Sequence, residues 1–358
     1  MSKTSTEMQR HALSGPTMGT RWSALFYQAA EFDPQSVRAA LQAAVDAVDE
    51  QMSTWKPDSN LMQVNAAPVG HWIKVPQQLL DVLRLALDIG RASGGAFDIG
   101  MGDAVSAWGF GASEAVPEQI QAALKRERRP AHDVLELDVE LGMVRKSAPI
   151  TLDLNGIAKG YGVDRLAEAL LSFGISSSLV GIDGEMRALG LRPDGSPWSI
   201  AVEAPDYDRR AAHSVLALQD ASVATSGDYR HWINVNDYRL SHTMDPLRGA
   251  PVMEPPASVT IVTRTCAEAD AWATALMVLG SKTGAVLARR LSFNVLFLLR
   301  AAGTTIRCEA VGDLFTSSNS GVPRRPLADL GGDSQRPKRI EDDSDVNQLL
   351  EQCTLNRF

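Results

Sequence analysis

Two stretches of the chain carry apolar residues at the three- and four-residue spacing of an amphipathic helix. In the first, "DPQSVRAALQAAVDAVDEQMS", the residues Val37, Leu41, Val45 and Val48 fall on one helical face. The second, "QQLLDVLRLALDIGRASGG", has the same period and ends at a pair of glycines, which favour the end of a helix. Both stretches therefore predict helices that pack one face against a core.

Two further helices are predicted near the middle and the end of the chain. One runs from about Ile157 to Phe173 in "TLDLNGIAKGYGVDRLAEALLSFG", with Gly174 as its stop. The other begins at about Cys266, because Thr265 and Glu268 have the T-x-x-E spacing of a capping box. The segment "SKTGAVLARRL" predicts one more helix directly after it.

Alternating apolar and polar residues predict strands through much of the remaining sequence. Most of them follow one another as hairpins, and helices interrupt them at irregular intervals, so the pattern indicates an α+β fold. The Gly-rich stretch "GGAFDIGMGDAVSAWGFGAS" has no sustained period and predicts a structured loop. We expect a loose N-terminus over residues 1–14, an ordered domain over residues 15–316 and a polar, weakly ordered tail over residues 317–358. The predicted strands include "TRWSALFY", "SSLVGIDGEMRALG", "WSIAVEAP", "HSVLALQDASVATSG", "HWINVNDYRLSH", "ASVTIVTRT", "FNVLFLLRAAG" and "TTIRCEA".

Composition and charge exclude several classes of protein. Apolar residues make up 44% of the chain and charged residues 22%, which is typical of a globular protein. The formal net charge of -8 argues against a nucleic-acid-binding protein, which needs a basic surface. The three cysteines form no CxxC pair, so no zinc site or disulfide framework is indicated. We find no apolar run of membrane-spanning length and no signal core, so we expect no membrane span and a cytoplasmic chain as written.

A carboxylate and a hydroxyl share one face of the helix that follows the capping box. Asp270 and Thr274 stand four residues apart, so their oxygens can meet a hard cation such as Mg²⁺. The same residues have simpler explanations, because an Asp near a helix start is favoured by the helix dipole and a Thr can bond its own backbone. Standard nucleotide loops, the HExxH zinc motif and the GxSxG elbow are absent from the sequence.

Four other residues are candidates for ligand binding or catalysis. Lys159 opens a helix, where a phosphate binds well, and Asp153 can accept hydrogen bonds from a ligand. Their alternatives are a solvated lysine and a turn-forming aspartate. His242 precedes the turn "DPLRG" and is a general base or a structural histidine. Trp55 precedes a Pro turn, where it stacks on a flat ring or packs in the core.

Nine segments, taken in order, resemble the FAD:protein FMN transferases of the ApbE family. The resemblance covers about residues 14–300, and its specificity comes from the order of the segments rather than from any one of them. The segments are "GPTMGTRW", "MSTWKPDSNLMQVN", "GGAFDIGMGDAVSAWGFG", "LDLNGIAKGYGVDRLAEAL", "LVGIDGEMRALG", "WSIAVEAP", "VATSGDYRHW", "LSHTMDPLRGAPV" and "ASVTIVTRTCAEADAWATALMVLG".

The resemblance implies a two-lobed, T-fold-related α+β architecture with FAD, the substrate, in the cleft between the lobes. It implies Mg²⁺ on the FAD pyrophosphate, and it makes His242 the catalytic residue. The implied metal ligands are Asp270, Thr274 and the backbone carbonyl of Gly156. The implied FAD contacts are Met18, Trp55, Ala96, Phe97, Asp98, Asp153, Lys159 and Met244.

The implied reaction moves the FMN part of FAD to a Thr or Ser hydroxyl of an acceptor flavoprotein and releases AMP. Two alternatives use the same site: an FAD pyrophosphatase, in which water replaces the acceptor, and an FAD-binding maturation accessory that transfers nothing. A flavin oxidoreductase is disfavoured, because no nicotinamide motif is present. Many members of the family are exported or membrane-anchored, so the resemblance leaves the compartment open.

Overall fold

The computed structural model describes residues 8–112, 114–207, 210–230, 232–235, 238–301 and 305–316. Helices and strands alternate irregularly along the chain. The helices are α1 Gln35–Met52, α2 Asn60–Ala66, α3 Gln77–Ala92, α4 Gly102–Ala107, α5 Pro117–Lys125, α6 Ala131–Val134, α7 Ala158–Ser172, α8 Cys266–Arg290 and α9 Asp313–Thr316. The strands are β1 Met8–Thr17, β2 Thr20–Ala29, β3 Trp72–Lys74, β4 Leu135–Asp138, β5 Met143–Lys146, β6 Ser178–Ile182, β7 Glu185–Leu189, β8 Trp198–Glu203, β9 Ala212–Leu218, β10 Ala221–Gly227, β11 Trp232–Val235, β12 Tyr238–Ser241, β13 Met244–Asp245, β14 Ala250–Pro251, β15 Ser258–Thr263, β16 Asn294–Arg300 and β17 Ile306–Val311.

An eight-stranded antiparallel sheet forms the framework of the larger lobe. Its order is β1-β2-β6-β7-β10-β15-β16-β17, and three of the seven neighbouring pairs, β1-β2, β6-β7 and β16-β17, are hairpins. Helices α2, α3 and α6 and the three-stranded sheet β3-β5-β4 pack around one core with α8, whereas α4 and α5 pack with residues of β12, β13 and β14. The pairs β8-β9, β11-β12 and β13-β14 stand outside both sheets. This arrangement confirms the α+β class.

The large sheet is covered on both faces, as the alternation along β2 makes clear. Trp22 and Phe26 are fully buried against α1 and α7. Leu25 and Tyr27 lie on the opposite face, where they pack against the β8-β9 hairpin around Trp198. Strand residues with a period of two thus serve two separate cores, one on each side of the sheet.

Helix α8 is the central helix of the fold and begins at the predicted capping box. The Thr265 side chain accepts a hydrogen bond from the Glu268 backbone, and the Glu268 carboxylate accepts one from the Thr265 N–H. The helix is broken at Gly280, whose φ of 68° lies in the left-handed region. This break agrees with the prediction of a separate helix in "SKTGAVLARRL", the segment that follows Gly280. By length and composition alone α8 could span a membrane, but half of its most apolar stretch is buried inside the protein. That burial is typical of a core helix.

The prediction of a loose N-terminus over residues 1–14 is wrong from Met8 onward. Strand β1 pairs with β2 along its whole length, from Met8 opposite Ala29 to Thr17 opposite Thr20. Leu13 is buried in the core, so this edge strand is held by packing as well as by backbone hydrogen bonds. Residues 1–7 and the predicted tail over residues 317–358 lie outside the described residues.

The Gly-rich stretch after α3 contains more helix than its sequence predicted. A short 3-10 helix, Ile99–Met101, runs directly into α4. Asp98 makes this possible, because its carboxylate accepts the Gly100 N–H at 2.7 Å and the Ala131 N–H at 3.1 Å. A side-chain cap of this kind gives a short helix the hydrogen-bond partners that its sequence period does not reveal.

Helices α7 and α8 cap each other at their N-terminal ends. Asp164 of α7 accepts the backbone N–H groups of Cys266 and Ala267, both at 2.9 Å. Asp270 of α8 in turn accepts the N–H of Gly160 at 3.0 Å. The first turn of a helix leaves N–H groups without partners inside the helix, so each aspartate satisfies donors of the other helix.

We predict that Gly160→Ala destabilises the protein. A Cβ at this position would lie 2.3 Å from the Cys266 carbonyl oxygen and 2.7 Å from the Asp270 Cβ, so the two helices would have to separate. The expected loss is about 1–3 kcal/mol in the free energy of unfolding, measured by urea denaturation. Gly184→Ala is the matched control, because a Cβ there meets no atom within 4 Å. Equal stability of the two variants would contradict the close helix contact.

Candidate active site

A solvent-open cleft of about 1580 Å³ lies between the lobes. It brings together residues that are far apart in the sequence, including every candidate site residue named from the sequence. Those residues are Met18, Trp55, Ala96, Phe97, Asp98, Asp153, Gly156, Lys159, His242, Met244, Asp270 and Thr274. Their common location supports one binding site, while their individual roles stay predictions.

The reciprocal helix caps place several oxygen atoms at the floor of the cleft. Asp270 is 5% exposed, and its Oδ2 accepts the Gly160 N–H. Thr274 lies one helical turn further on, with its Oγ1 at 3.4 Å from the Ser226 Oγ. A Cβ on Gly156 would stand 3.2 Å from Thr274 Oγ1, so the Gly156 backbone passes directly beside this hydroxyl. The predicted metal ligands are therefore neighbours in space.

The environment of Asp270 disfavours its ionised form. Burial and the nearby Glu185 carboxylate raise the pKa of Asp270 from 3.8 to about 7, against the opposing effects of Lys159 and the Gly160 N–H. A buried carboxyl with a neutral-range pKa is common at functional sites, where a ligand supplies the missing charge compensation. The carboxylate is thus unfavourable for the protein by itself and suited to a cation.

Lys159 is paired with acidic side chains, so the alternative interpretation of a solvated lysine does not hold. Its Nζ lies 3.0 Å from Glu185 Oε1 and 3.7 Å from Asp183 Oδ2. Burial opposes the charged lysine, but the carboxylates of Glu185, Asp270 and Asp183 outweigh it and raise the pKa of Lys159. The ammonium group is therefore permanently charged at the floor of the cleft.

The other two candidate aspartates shape the local backbone. The Asp153 carboxylate accepts the Asn155 N–H at 2.8 Å, which makes the turn before α7, and burial raises the pKa of Asp153 to about 6. Asp98 caps the 3-10 helix described above, and burial also raises its pKa. Asp153 therefore forms a turn, as its simpler interpretation held, Asp98 caps a helix, and both residues line the cleft.

The rim of the cleft includes an exposed aromatic ring and a strained turn. Trp55 is 61% exposed, so core packing, the commoner use of such a ring, does not apply. Met18 connects β1 to β2 with a φ of 42°, an unusual value for a residue with a side chain. Backbone strain of this kind persists where the surrounding structure fixes it, often beside a ligand.

His242 reaches the cleft from the segment that leads into the β13-β14 turn. Its ring lies edge-on to Phe110 at 6.4 Å between centroids, and it is half-buried. In the turn, Asp245 accepts the Leu247 N–H at 2.9 Å and the Gly249 N–H, also at 2.9 Å. This turn follows the histidine directly in the chain, and His242 lines the cleft.

Sequence reasoning missed the acids that surround Lys159. Asp183 and Glu185 occupy the β6-β7 hairpin, and Glu185 is 4% exposed, which is rare for an acid. A signal was present, because "IDGE" stands inside one of the nine segments of the resemblance. Nothing in that segment, however, indicates that its acids meet a lysine 26 positions earlier in the chain.

Comparison with known proteins decides the family. A sequence model described as the ApbE family matches residues 18–297. The chain belongs to the ApbE family. Among curated ApbE relatives, the FAD:protein FMN transferase of Vibrio cholerae is 36% identical over 80% of this chain and 87% of its own length. The protein of the same name from Escherichia coli K12 is 34% identical over 78% and 81%. As a member of this family, the chain is a transferase.

Solved ApbE structures have the same fold. The flavin transferase ApbE of Vibrio cholerae superposes with a TM-score of 0.74 at 32% identity, covering 85% of this chain and 97% of that protein. The apo flavinyl transferase ApbE of Pseudomonas stutzeri gives a TM-score of 0.74 at 34% identity, covering 85% and 95%. The two-lobed architecture implied by the sequence resemblance is therefore confirmed as the ApbE fold.

The pKa of Asp270 predicts a pH-dependent effect of Asp270→Asn on stability in metal-free buffer. The unfolded chain loses this proton near pH 3.8 and the folded chain near pH 7, so between these values the folded state binds more protons. Stability then falls as the pH rises through this window. Asn carries no charge, so the variant avoids that loss.

We expect Asp270→Asn and the wild type to be similar in stability near pH 4. At pH 8 the variant is more stable, by on the order of a few kcal/mol. Urea unfolding in EDTA across this range measures the difference. A difference of constant size at all pH values would contradict burial of the charge as its cause.

Proposed function

We propose that the protein transfers the FMN part of FAD to a Thr or Ser hydroxyl of an acceptor flavoprotein, in a reaction that depends on Mg²⁺ and releases AMP. The observation that carries this proposal is the convergence of Asp270, Thr274, Gly156 and Lys159 where α7 and α8 cap each other. The names of the relatives, FAD:protein FMN transferase, support the same activity.

The oxygen atoms at the floor of the cleft fit Mg²⁺. A carboxylate, a hydroxyl and a backbone carbonyl are hard ligands, and Mg²⁺ commonly combines one or two carboxylates with phosphate oxygens. In the described part of the chain, no three His, Cys, Asp or Glu side chains are grouped as a metal site. A metal at this point is therefore expected to depend on Asp270, Thr274, the Gly156 carbonyl and the substrate together. When bound, Mg²⁺ stabilises negative charge on the phosphates.

The remaining cleft residues suit a dinucleotide. Lys159 provides a fixed positive charge beside the N-terminal end of α7, where a phosphate binds favourably. The exposed Trp55 ring offers a surface on which a flat ring stacks. The other contacts that we propose for FAD are Met18, Ala96, Phe97, Asp98, Asp153 and Met244.

The chemistry is a phosphoryl-group transfer. The acceptor oxygen bonds to the FMN-side phosphorus, the bond from that phosphorus to the bridging oxygen breaks, and AMP leaves with the bridging oxygen. We assign His242 as the base that takes the hydroxyl proton. Lys159 is placed to stabilise the charge that develops on the phosphate oxygens.

We assign the attacking oxygen to the acceptor protein, and no cysteine of the described chain offers a nucleophile in its place. Cys266 is fully buried, and burial raises its pKa well above the usual range, so it is not a reactive thiol. Cys308 lies on β17, outside the cleft, and Cys353 is outside the described residues. The cleft also exceeds the roughly 300–1,000 Å³ of a typical small-ligand site, which leaves space for an acceptor segment beside FAD.

The central prediction concerns the products of the reaction. With FAD, Mg²⁺ and its acceptor protein, the enzyme is expected to add the mass of an FMN group to the acceptor and release one AMP for each. Intact-mass spectrometry and chromatography measure the two products. EDTA, Asp270→Ala in the enzyme and Ala at the acceptor hydroxyl are each expected to abolish the label.

Other outcomes identify the alternatives. Free FMN and AMP without a labelled acceptor would favour the FAD pyrophosphatase. Bound FAD that stays intact with every acceptor would favour the maturation accessory and contradict transfer. Full activity of Asp270→Ala would show that this carboxylate does not bind the metal.

A second prediction separates proton transfer from binding. His242→Ala is expected to bind FAD with nearly unchanged affinity, because the residue acts on the acceptor hydroxyl, and to slow transfer by roughly 10²–10⁴-fold. Fluorescence titration measures FAD binding, and single-turnover AMP release measures the rate. Parallel losses of affinity and rate would instead make His242 a ligand contact or a structural residue.

A further inference from the structure

Lys159 faces three carboxylates on the floor of the cleft, but it is in contact with only two of them. Its Nζ lies 3.0 Å from Glu185 and 3.7 Å from Asp183. Asp270 acts on the lysine through its charge, yet among the described residues no ion pair within 4.0 Å joins the two. The ammonium group of Lys159 is thus near the Asp270 carboxylate but forms no ion pair with it.

The Asp270 carboxylate is only partly used within the protein. The hydrogen bond described for it takes Oδ2, which accepts the Gly160 N–H. A lysine has a flexible four-carbon stem, so the ammonium of Lys159 can reach a new partner when its present one is removed. An ammonium on Asp270 would neutralise that carboxylate and compete with a divalent cation for it.

Glu185 is the residue that holds Lys159 in its present place. Its side chain is 5% exposed, against 41% for Asp183, so solvent screens the Glu185 ion pair far less. It begins β7 and lies opposite Ile182 in the hairpin, which fixes its backbone. Its second oxygen, Oε2, is buried and has no hydrogen-bond partner among the described residues, so Lys159 is the group that compensates this carboxylate.

We propose that Glu185 is a positioning residue that keeps Lys159 away from Asp270 and so leaves the Asp270 carboxylate available to a divalent cation. This inference rests on the proposed function, because it assumes a cation at Asp270. In this proposal the β6-β7 hairpin affects the cation affinity through Lys159, without itself supplying a metal ligand. Glu185 itself needs no contact with the cation.

A double-mutant cycle on cation binding tests the inference without measuring activity. The probe is Mn²⁺, which takes oxygen ligands like those of Mg²⁺ and can be counted by electron paramagnetic resonance. Glu185→Gln is expected to weaken Mn²⁺ binding by about tenfold or more, because Lys159 then moves to Asp270. In a Lys159→Met background the same change is expected to have little effect, because no ammonium remains to compete.

The pattern of the cycle separates positioning from a simple effect of charge. If Glu185 acted only through its negative charge, its removal would weaken Mn²⁺ binding equally with and without Lys159, and that result would overturn the proposal. Wild-type affinity in Glu185→Gln would overturn it as well. Asp183→Asn is the matched control, because it removes the exposed acid near Lys159 and is expected to change the affinity less than about twofold.

Further measurements distinguish failure of the inference from failure of the proposed function. All Mn²⁺ titrations contain saturating FAD, and Asp270→Asn is expected to abolish Mn²⁺ binding. If the wild type shows no Mn²⁺ site that this variant removes, the cation of the proposed function is absent and the inference fails with it. If that site exists but Glu185→Gln leaves it unchanged, the inference alone fails. Glu185→Gln could also lose its Mn²⁺ affinity because it no longer shows a thermal unfolding transition. If Lys159→Met does not restore the affinity in that case, the result also counts against the inference.

Discussion

The reciprocal capping of α7 and α8 is the interaction on which the rest of the site depends. Asp164 satisfies the first N–H groups of α8, Asp270 satisfies one of α7, and Gly160 lets the two helices approach closely enough to do so. The two helices therefore overlap at their N-terminal turns, and this overlap places the partly positive N-terminal end of α7 beside Asp270 and Thr274 at the cleft. Both helices pack against the large sheet, and this packing fixes the position of their contact.

The same geometry leaves acidic groups where the protein alone does not favour them. Asp270 and Glu185 are both buried, and burial raises the pKa of each. Lys159 compensates part of this charge, and its ion pair with Glu185 leaves Asp270 only partly used. A buried excess of negative charge is destabilising without a ligand, so the site gains most from a cation that arrives with its substrate. Function and stability therefore place opposite demands on Asp270.

The elements with a clear local signal could be predicted from the sequence. The capping box at Thr265 and the left-handed Gly280 fix the start and the break of α8, and both follow from short-range rules. Strand β1 was missed because its N-terminal half, from Met8, is polar and is ordered by its pairing with β2, which no local pattern reveals. Long-range pairing overrides weak local preference in such strands.

The candidate site, like the fold, has features that the sequence predicts and features that it does not. The candidate residues named from the family resemblance do lie together in one cleft, because order along the chain preserves a shared fold. The pairing of Lys159 with Glu185, the cap supplied by Asp164 and the exposure of Trp55 depend on contacts between distant segments. Spacing along the chain cannot supply these, so the electrostatics of the cleft emerged only from the structure.

We infer that one point between α7 and α8 binds both the cation and the pyrophosphate of FAD. A crystal structure of His242→Ala with FAD and Mn²⁺, with anomalous diffraction at the manganese edge, tests this directly. We expect one strong anomalous peak at about 2.0–2.3 Å from oxygens of Asp270, Thr274 and the Gly156 backbone, and from the FAD phosphates. A manganese peak elsewhere, or phosphates bound away from Lys159, would contradict it.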